Sequence, residues 1–114
     1  MTDSSPKTGI ERRKYRRVGL VTEVRCEHEG KKDVLLTRDV SEGGIFVASD
    51  KPFPKGPEVK ILLYLSAAGP GLGLTGLVVY IVPDLGMGIE FANLSGEARN
   101  VLREFVALFP EGST

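Results

Sequence analysis

Tryptophan is missing from the 114 residues, cysteine and histidine occur once each, and the formal charges cancel to zero. Each scarcity removes a class of function. A lone cysteine, Cys26, excludes an internal disulfide framework and fits a reducing compartment, so a cytoplasmic location is expected. The single imidazole, His28, lies two residues from Cys26 in a charged stretch beside a Gly-Lys-Lys turn. Two residues apart on a strand they share a face, but two ligands are too few for a metal, and the pair reads as structural. No stretch approaches the roughly 20 apolar residues that cross a bilayer, so no membrane insertion is expected. No apolar run follows the N-terminal basic residues, as a secretory signal would require. With 41% hydrophobic and 26% charged residues, the composition is that of one ordinary globular domain with a modest core.

The usual catalytic arrangements are missing as well. Ser41 has no Gly-x-Ser-x-Gly elbow and no evident histidine partner. The stretch "GPGLGLTG" from Gly69 resembles a phosphate loop, but no Gly-Lys-Ser/Thr follows, and a strand rather than a helix comes next. The acidic residues form no pair at metal-binding spacing. Neither an enzyme nor a resident cofactor is expected.

What the chain has is punctuation and alternation. Fourteen glycines and seven prolines suit many turns. Residues 1–9 are polar and aperiodic and read as a disordered tail. Leu20–Cys26, Val34–Val40, Ile45–Ala48, Val59–Leu65, Leu72–Val82 and Met87–Ala92 read as strands. In the fourth of these, Val59, Ile61, Leu63 and Leu65 share one face. Gly73 and Gly76 suggest a bulge or bend early in the fifth. After Ala92 the period changes: Ser95 is suited to cap a helix whose stripe is Ala98, Val101, Leu102, Phe105, Leu108 and Phe109, stopped by Pro110. No helix separates the strands, so the fold class is mainly β: a six-stranded antiparallel sheet, closed into a small barrel to remove its edges, with a C-terminal α-helix. The domain occupies residues 10–110, followed by a short tail over 111–114.

The charge is unevenly distributed. Residues 1–17 carry six basic side chains against two acidic ones, a net of +4, and the remaining 97 residues carry −4. Five of the seven residues in Arg12–Val18 are basic, interrupted by Tyr15. A nucleic-acid binder is normally basic overall or along a whole face, so a small anion fits better and no nucleic-acid partner is expected. A second stretch, "RDVSEGGIFV" from Arg38, contains good turn formers, and its glycines supply either a positive φ or room for a ligand. Arginine offers a planar fork of donors to phosphate and to the O6/N7 edge of guanine, while a carboxylate such as Asp39 accepts from guanine N1 and N2. Taken singly, either stretch is equally a solvated segment or an ordinary turn.

Together, "ERRKYRRV" and "DVSEGGIFV" resemble the paired signature of the PilZ domain family, Arg-x-x-x-Arg followed by Asp/Asn-x-Ser-x-x-Gly, and "GMGIEF" at Gly86–Phe91 is similar to its late strand. The resemblance covers about Ile10 to Phe109 and implies a six-stranded antiparallel barrel with a terminal helix, a bacterial receptor for the second messenger cyclic di-GMP. It implies that Arg13 and Arg17 clamp phosphates and guanine edges, that Asp39 and Ser41 hydrogen-bond a guanine, and that Gly43 and Gly44 keep the turn open. The alternative register, Arg12 with Arg16, has the same spacing. Arg13/Arg17 is preferred because the second arginine of the family usually precedes a small aliphatic residue, here Val18. The spare Arg12 then implies two cyclic di-GMP molecules per chain. Arg16 and Arg38 are additional candidates, and Tyr15 either stacks on a base or anchors the arginine segment to the barrel. The expected output is a ligand-altered surface presented to a downstream protein. The competing expectation is an adaptor of the same fold that acts without nucleotide.

Overall fold

Alternating side chains build the sheet, and one long strand organises it. The computed structural model describes residues 15–66 and 68–110; Arg12, Arg13, the tail over 1–9 and the residues after Pro110 lie outside the described residues. Seven strands precede a helix: β1 (Val18–Gly19), β2 (Glu23–His28), β3 (Lys31–Val40), β4 (Gly44–Ala48), β5 (Glu58–Leu63), β6 (Leu72–Val82), β7 (Gly86–Ala92) and α1 (Gly96–Ala107). Six of them pair in the order β3-β2-β5-β6-β7-β4, and β4 returns to β3, which closes an antiparallel barrel. The expected six-stranded barrel with a terminal helix is therefore the fold.

The seventh strand is an addition. The expected strand Leu20–Cys26 is broken, with β1 ending at Gly19 and β2 beginning at Glu23. β2 covers β3 only from Lys31 to Leu36, which would leave the rest of that edge unpaired. β1 covers it, pairing Val18 with Val40 and Gly19 with Asp39. The buried Thr37 hydroxyl bridges the break, donating to the Leu20 carbonyl at 2.6 Å and accepting the Thr22 N–H at 3.1 Å. A side chain thus replaces missing ladder bonds.

The interior is filled by one face of each strand, among them Val24, Val40, Val47, Val59, Leu63 and Met87, all fully buried. Val59, Ile61 and Leu63 point inward as their alternation predicts. Phe53, from the loop between β4 and β5, belongs to the same core, and its ring stacks on His28 with centroids 5.1 Å apart. His28 is buried despite its charged neighbours in sequence. The strand face it shares with Cys26 points into the barrel.

One departure from expectation concerns the bends of the sheet. The irregularities of the sheet fall at Arg38 in β3 and Val79 in β6, not at Gly73 or Gly76. Gly76 instead permits a close approach of β7, since a Cβ there would stand 2.7 Å from the Glu90 carbonyl oxygen. In α1 the Ser95 side chain caps the Ala98 N–H at 3.0 Å, as expected. Only Ala98 and Leu102 of the stripe are fully buried, while Val101 and Leu108 are exposed. The helix seats its first half on the barrel core, and its last turn is met by Arg16 from before β1. Among the described residues no helix is long and apolar enough to cross a membrane.

Candidate functional site

The bulge in β3 shapes the site. Thr37 pairs with Val47 and Val40 with Ile45, so β3 spends one more residue than β4 between these two inward positions. Thr37 and Val40 are both buried; Arg38 and Asp39, between them, are turned to the outside, Arg38 exposed and Asp39 partly covered. A regular strand would have placed one of the two inside.

The turn into β4 is held by a serine. Ser41 is 6% exposed, and its Oγ accepts the N–H groups of Gly43 and Gly44, each at 3.1 Å. Its own N–H donates to the Gly44 carbonyl at 2.9 Å, and the hydroxyl lies 3.4 Å from that same oxygen. The hydroxyl's two acceptor positions and its one donor are therefore engaged inside the turn. The two glycines serve space rather than conformation: among the described residues the glycines with positive φ are Gly30 and Gly56. A Cβ on Gly44 would run into the Ile89 carbonyl of β7, and one on Gly43 would stand 2.5 Å from the Tyr15 ring. Tyr15 therefore lies against the motif turn.

The second bulge shapes the facing wall. Val79 is the extra residue of β6, and beyond it the Tyr80 ring covers Gly88, where any Cβ would collide with it. Phe46 of β4 stacks beside Tyr80 with centroids 6.0 Å apart. Between the two bulged regions lies a cleft of about 650 Å³, lined by Tyr15, Arg17, Asp39, the turn Ser41–Gly44, Tyr80, Glu90 and Arg99, among others.

Of the residues singled out in the sequence, the cleft brings together Arg17, Asp39, Ser41, Gly43 and Gly44. Arg16 turns elsewhere. Its guanidinium donates to the carbonyls of Val106 at 2.9 Å and Phe109 at 2.5 and 3.2 Å, supplying the cation that the last turn of α1 lacks. Arg38 is exposed beside the cleft and does not line it. Burial pushes the Asp39 carboxyl above its ordinary value, while the charges of Arg17 and Arg38 and the Phe46 backbone N–H pull it back.

Glu42, Tyr80, Glu90 and Arg99 went unnoticed in the sequence. Glu42 sits inside the motif turn, and its carboxylate meets Arg99 at 3.5 Å and Arg103 at 3.3 Å on α1. The one available signal was the i, i+4 spacing of those arginines, which places both on one helix face. The cleft thus combines a cation, a half-buried carboxylate and aromatic rings, a set suited to a planar heterocycle carrying negative charge. Among the described residues no cluster of three histidine, cysteine or acidic side chains could hold a metal ion.

Comparison with known proteins bears on the fold. No curated protein matches the sequence. Several solved structures share the fold. The Bacillus subtilis inhibitor of motility (MotI/DgrA) superposes with a TM-score of 0.67 at 19% identity, over 82% of this chain and 49% of that one. The Borreliella burgdorferi PlzA protein, solved in complex with c-di-GMP, gives 0.65 at 16% identity, over 87% of this chain and 43% of that one. The PilZ domain of Escherichia coli YcgR, solved with c-di-GMP, gives 0.64 at 13% identity, over 85% and 89% respectively. The chain therefore spans about half the length of the first two. The PilZ domain model matches residues 11–108, nearly the whole described fold, and on that match the chain belongs to the PilZ domain family.

Proposed function

We propose that this PilZ domain is a receptor for cyclic di-GMP that passes its ligand state to a protein partner and catalyses nothing. One observation carries the reading: Arg17, Asp39 and the Ser41-braced turn, distant in sequence, converge on one cleft with room for a nucleotide base and its phosphate. Arg17 supplies the cation, and Asp39 accepts the guanine N1 and N2 donors. Ser41 acts by holding the turn, with its hydroxyl already engaged. Gly43 and Gly44 let Tyr15 and β7 approach. The orientation of Arg17 toward the cleft, with Arg16 on the helix, supports pairing Arg17 with Arg13 rather than Arg16 with Arg12. Arg13 then adds a second clamp on phosphate, and Arg12 recruits a second ligand molecule.

The experiment is calorimetric titration with cyclic di-GMP, using GMP, cyclic di-AMP and a short RNA as controls. The reading requires saturable binding of cyclic di-GMP alone, at two molecules per chain. Equal affinity for every polyanion, lost steeply with salt, would replace it with non-specific electrostatic attraction.

A second reading, a nucleotide-independent adaptor, draws support from apolar side chains on the outside of the barrel. Val34 and Leu36 of β3 and Val21 before β2 are 65%, 52% and 72% exposed. A folded chain that gives no heat with cyclic di-GMP would favour this adaptor.

A further inference from the structure

We infer that Arg99 of α1 is a ligand-binding residue, and that Glu42 is an internal carboxylate occupying it until the ligand's phosphate takes its place. The inference rests on the receptor reading above and extends the site beyond the two sequence motifs. Arg17 and Arg99 both line the cleft, one from the segment before β1 and the other from the first turns of α1. Two ligand molecules carry four phosphates, more than Arg12, Arg13 and Arg17 neutralise, and Arg99 supplies a fourth cation from a different element.

The contact that holds Arg99 is a loose one. Its Nη1 stands 3.5 Å from Glu42 Oε2, whereas charge-assisted bonds close to about 2.7–2.9 Å. A phosphate offers more acceptor oxygens than this shared carboxylate oxygen. The exchange leaves no charge stranded, because Arg103 Nη2 already donates to the same Glu42 oxygen at 3.3 Å. Arg103 does not line the cleft. It is the built-in control, an arginine with the same carboxylate partner and no access to the ligand.

The test is titration of the full chain with cyclic di-GMP, comparing wild type, Arg99→Ala, Arg103→Ala and Glu42→Gln, each with a thermal melt. Arg99→Ala is expected to weaken binding about tenfold or more at an unchanged melting midpoint, as for loss of a charged donor. Arg103→Ala should change affinity less than about threefold, and Glu42→Gln should tighten it by about two- to fivefold, because the competing carboxylate charge is gone. Wild-type affinity in Arg99→Ala, equal losses in the two arginine variants, or weakening in Glu42→Gln would each overturn the inference and leave the receptor reading standing. A silent wild-type titration would remove both. If Arg99→Ala lowers the melting midpoint, Arg99→Gln is measured in its place against the same thresholds.

Discussion

Arg16 donates to the main-chain carbonyl of Val106 at 2.9 Å, joining two residues that stand 90 apart in the chain. The adjacent Arg17 lines the cleft instead. Neighbouring arginines of one basic cluster therefore have different work. Arg16→Ala should lower stability by about 1–2 kcal/mol, since it uncaps the last carbonyls of α1. Arg17→Ala should leave stability within about 0.5 kcal/mol and abolish most ligand affinity. Urea denaturation together with titration separates the two, and equal effects of the variants on both quantities would contradict the division.

Ser41 holds two backbone N–H groups in a half-buried turn. Ser41→Ala leaves both donors unpaired and should cost about 1–3 kcal/mol. Gly44→Ala presses a methyl group into the Ile89 carbonyl and should cost a similar or larger amount, about 2–3 kcal/mol, by prising β4 from β7. Denaturant midpoints of the two variants check this. A neutral Ser41→Ala would mean that water takes over both bonds.

The Asp39 carboxyl is raised by burial above its ordinary 3.8, so the folded state holds this proton more tightly than the unfolded chain. Stability from this group is complete below pH 3.8 and is lost as the pH climbs through the raised folded value. Asp39→Asn should therefore remove a downward slope of stability with rising pH just above that point, and should be neutral or stabilising at pH 7. Denaturation curves of both proteins between pH 3.5 and about 6 decide it. Ligand affinity should run in the opposite sense, rising as Asp39 ionises, because the carboxylate accepts guanine donors.

Cys26 is 1% exposed, and burial, reinforced by the charge of Asp33, pushes its thiol up to about 12. The thiolate is the reactive form. A water-soluble aromatic disulfide should label the native protein at pH 8 only as fast as the barrel opens, and at once in denaturant. Rapid stoichiometric labelling of the native chain would show that β2 does not keep Cys26 inside.

Much of this was legible in the chain. Period-two alternation marked the six barrel strands, and the change of period after Ala92 marked the helix. The motif stretches pointed to Arg17, Asp39 and the Ser41–Gly44 turn, which the cleft unites. What escaped was everything set by contact at a distance. β1 has two residues and no pattern of its own; it forms because β3 outruns β2. The bulges at Arg38 and Val79 carry no glycine to announce them. The pairing of Glu42 with Arg99 and Arg103 joins a turn to a helix more than fifty residues away.

The sequence by itself determined the periodicities, the caps and the chemical inventory of the site, because these depend on backbone sterics and on side chains a few residues apart. Only the tertiary structure decided which arginine lines the cleft and which binds the helix. Arg16 and Arg17 are chemically identical, and their roles diverge because the fold brings different partners to them, the last carbonyls of α1 to Arg16 and the cleft beside the motif turn to Arg17.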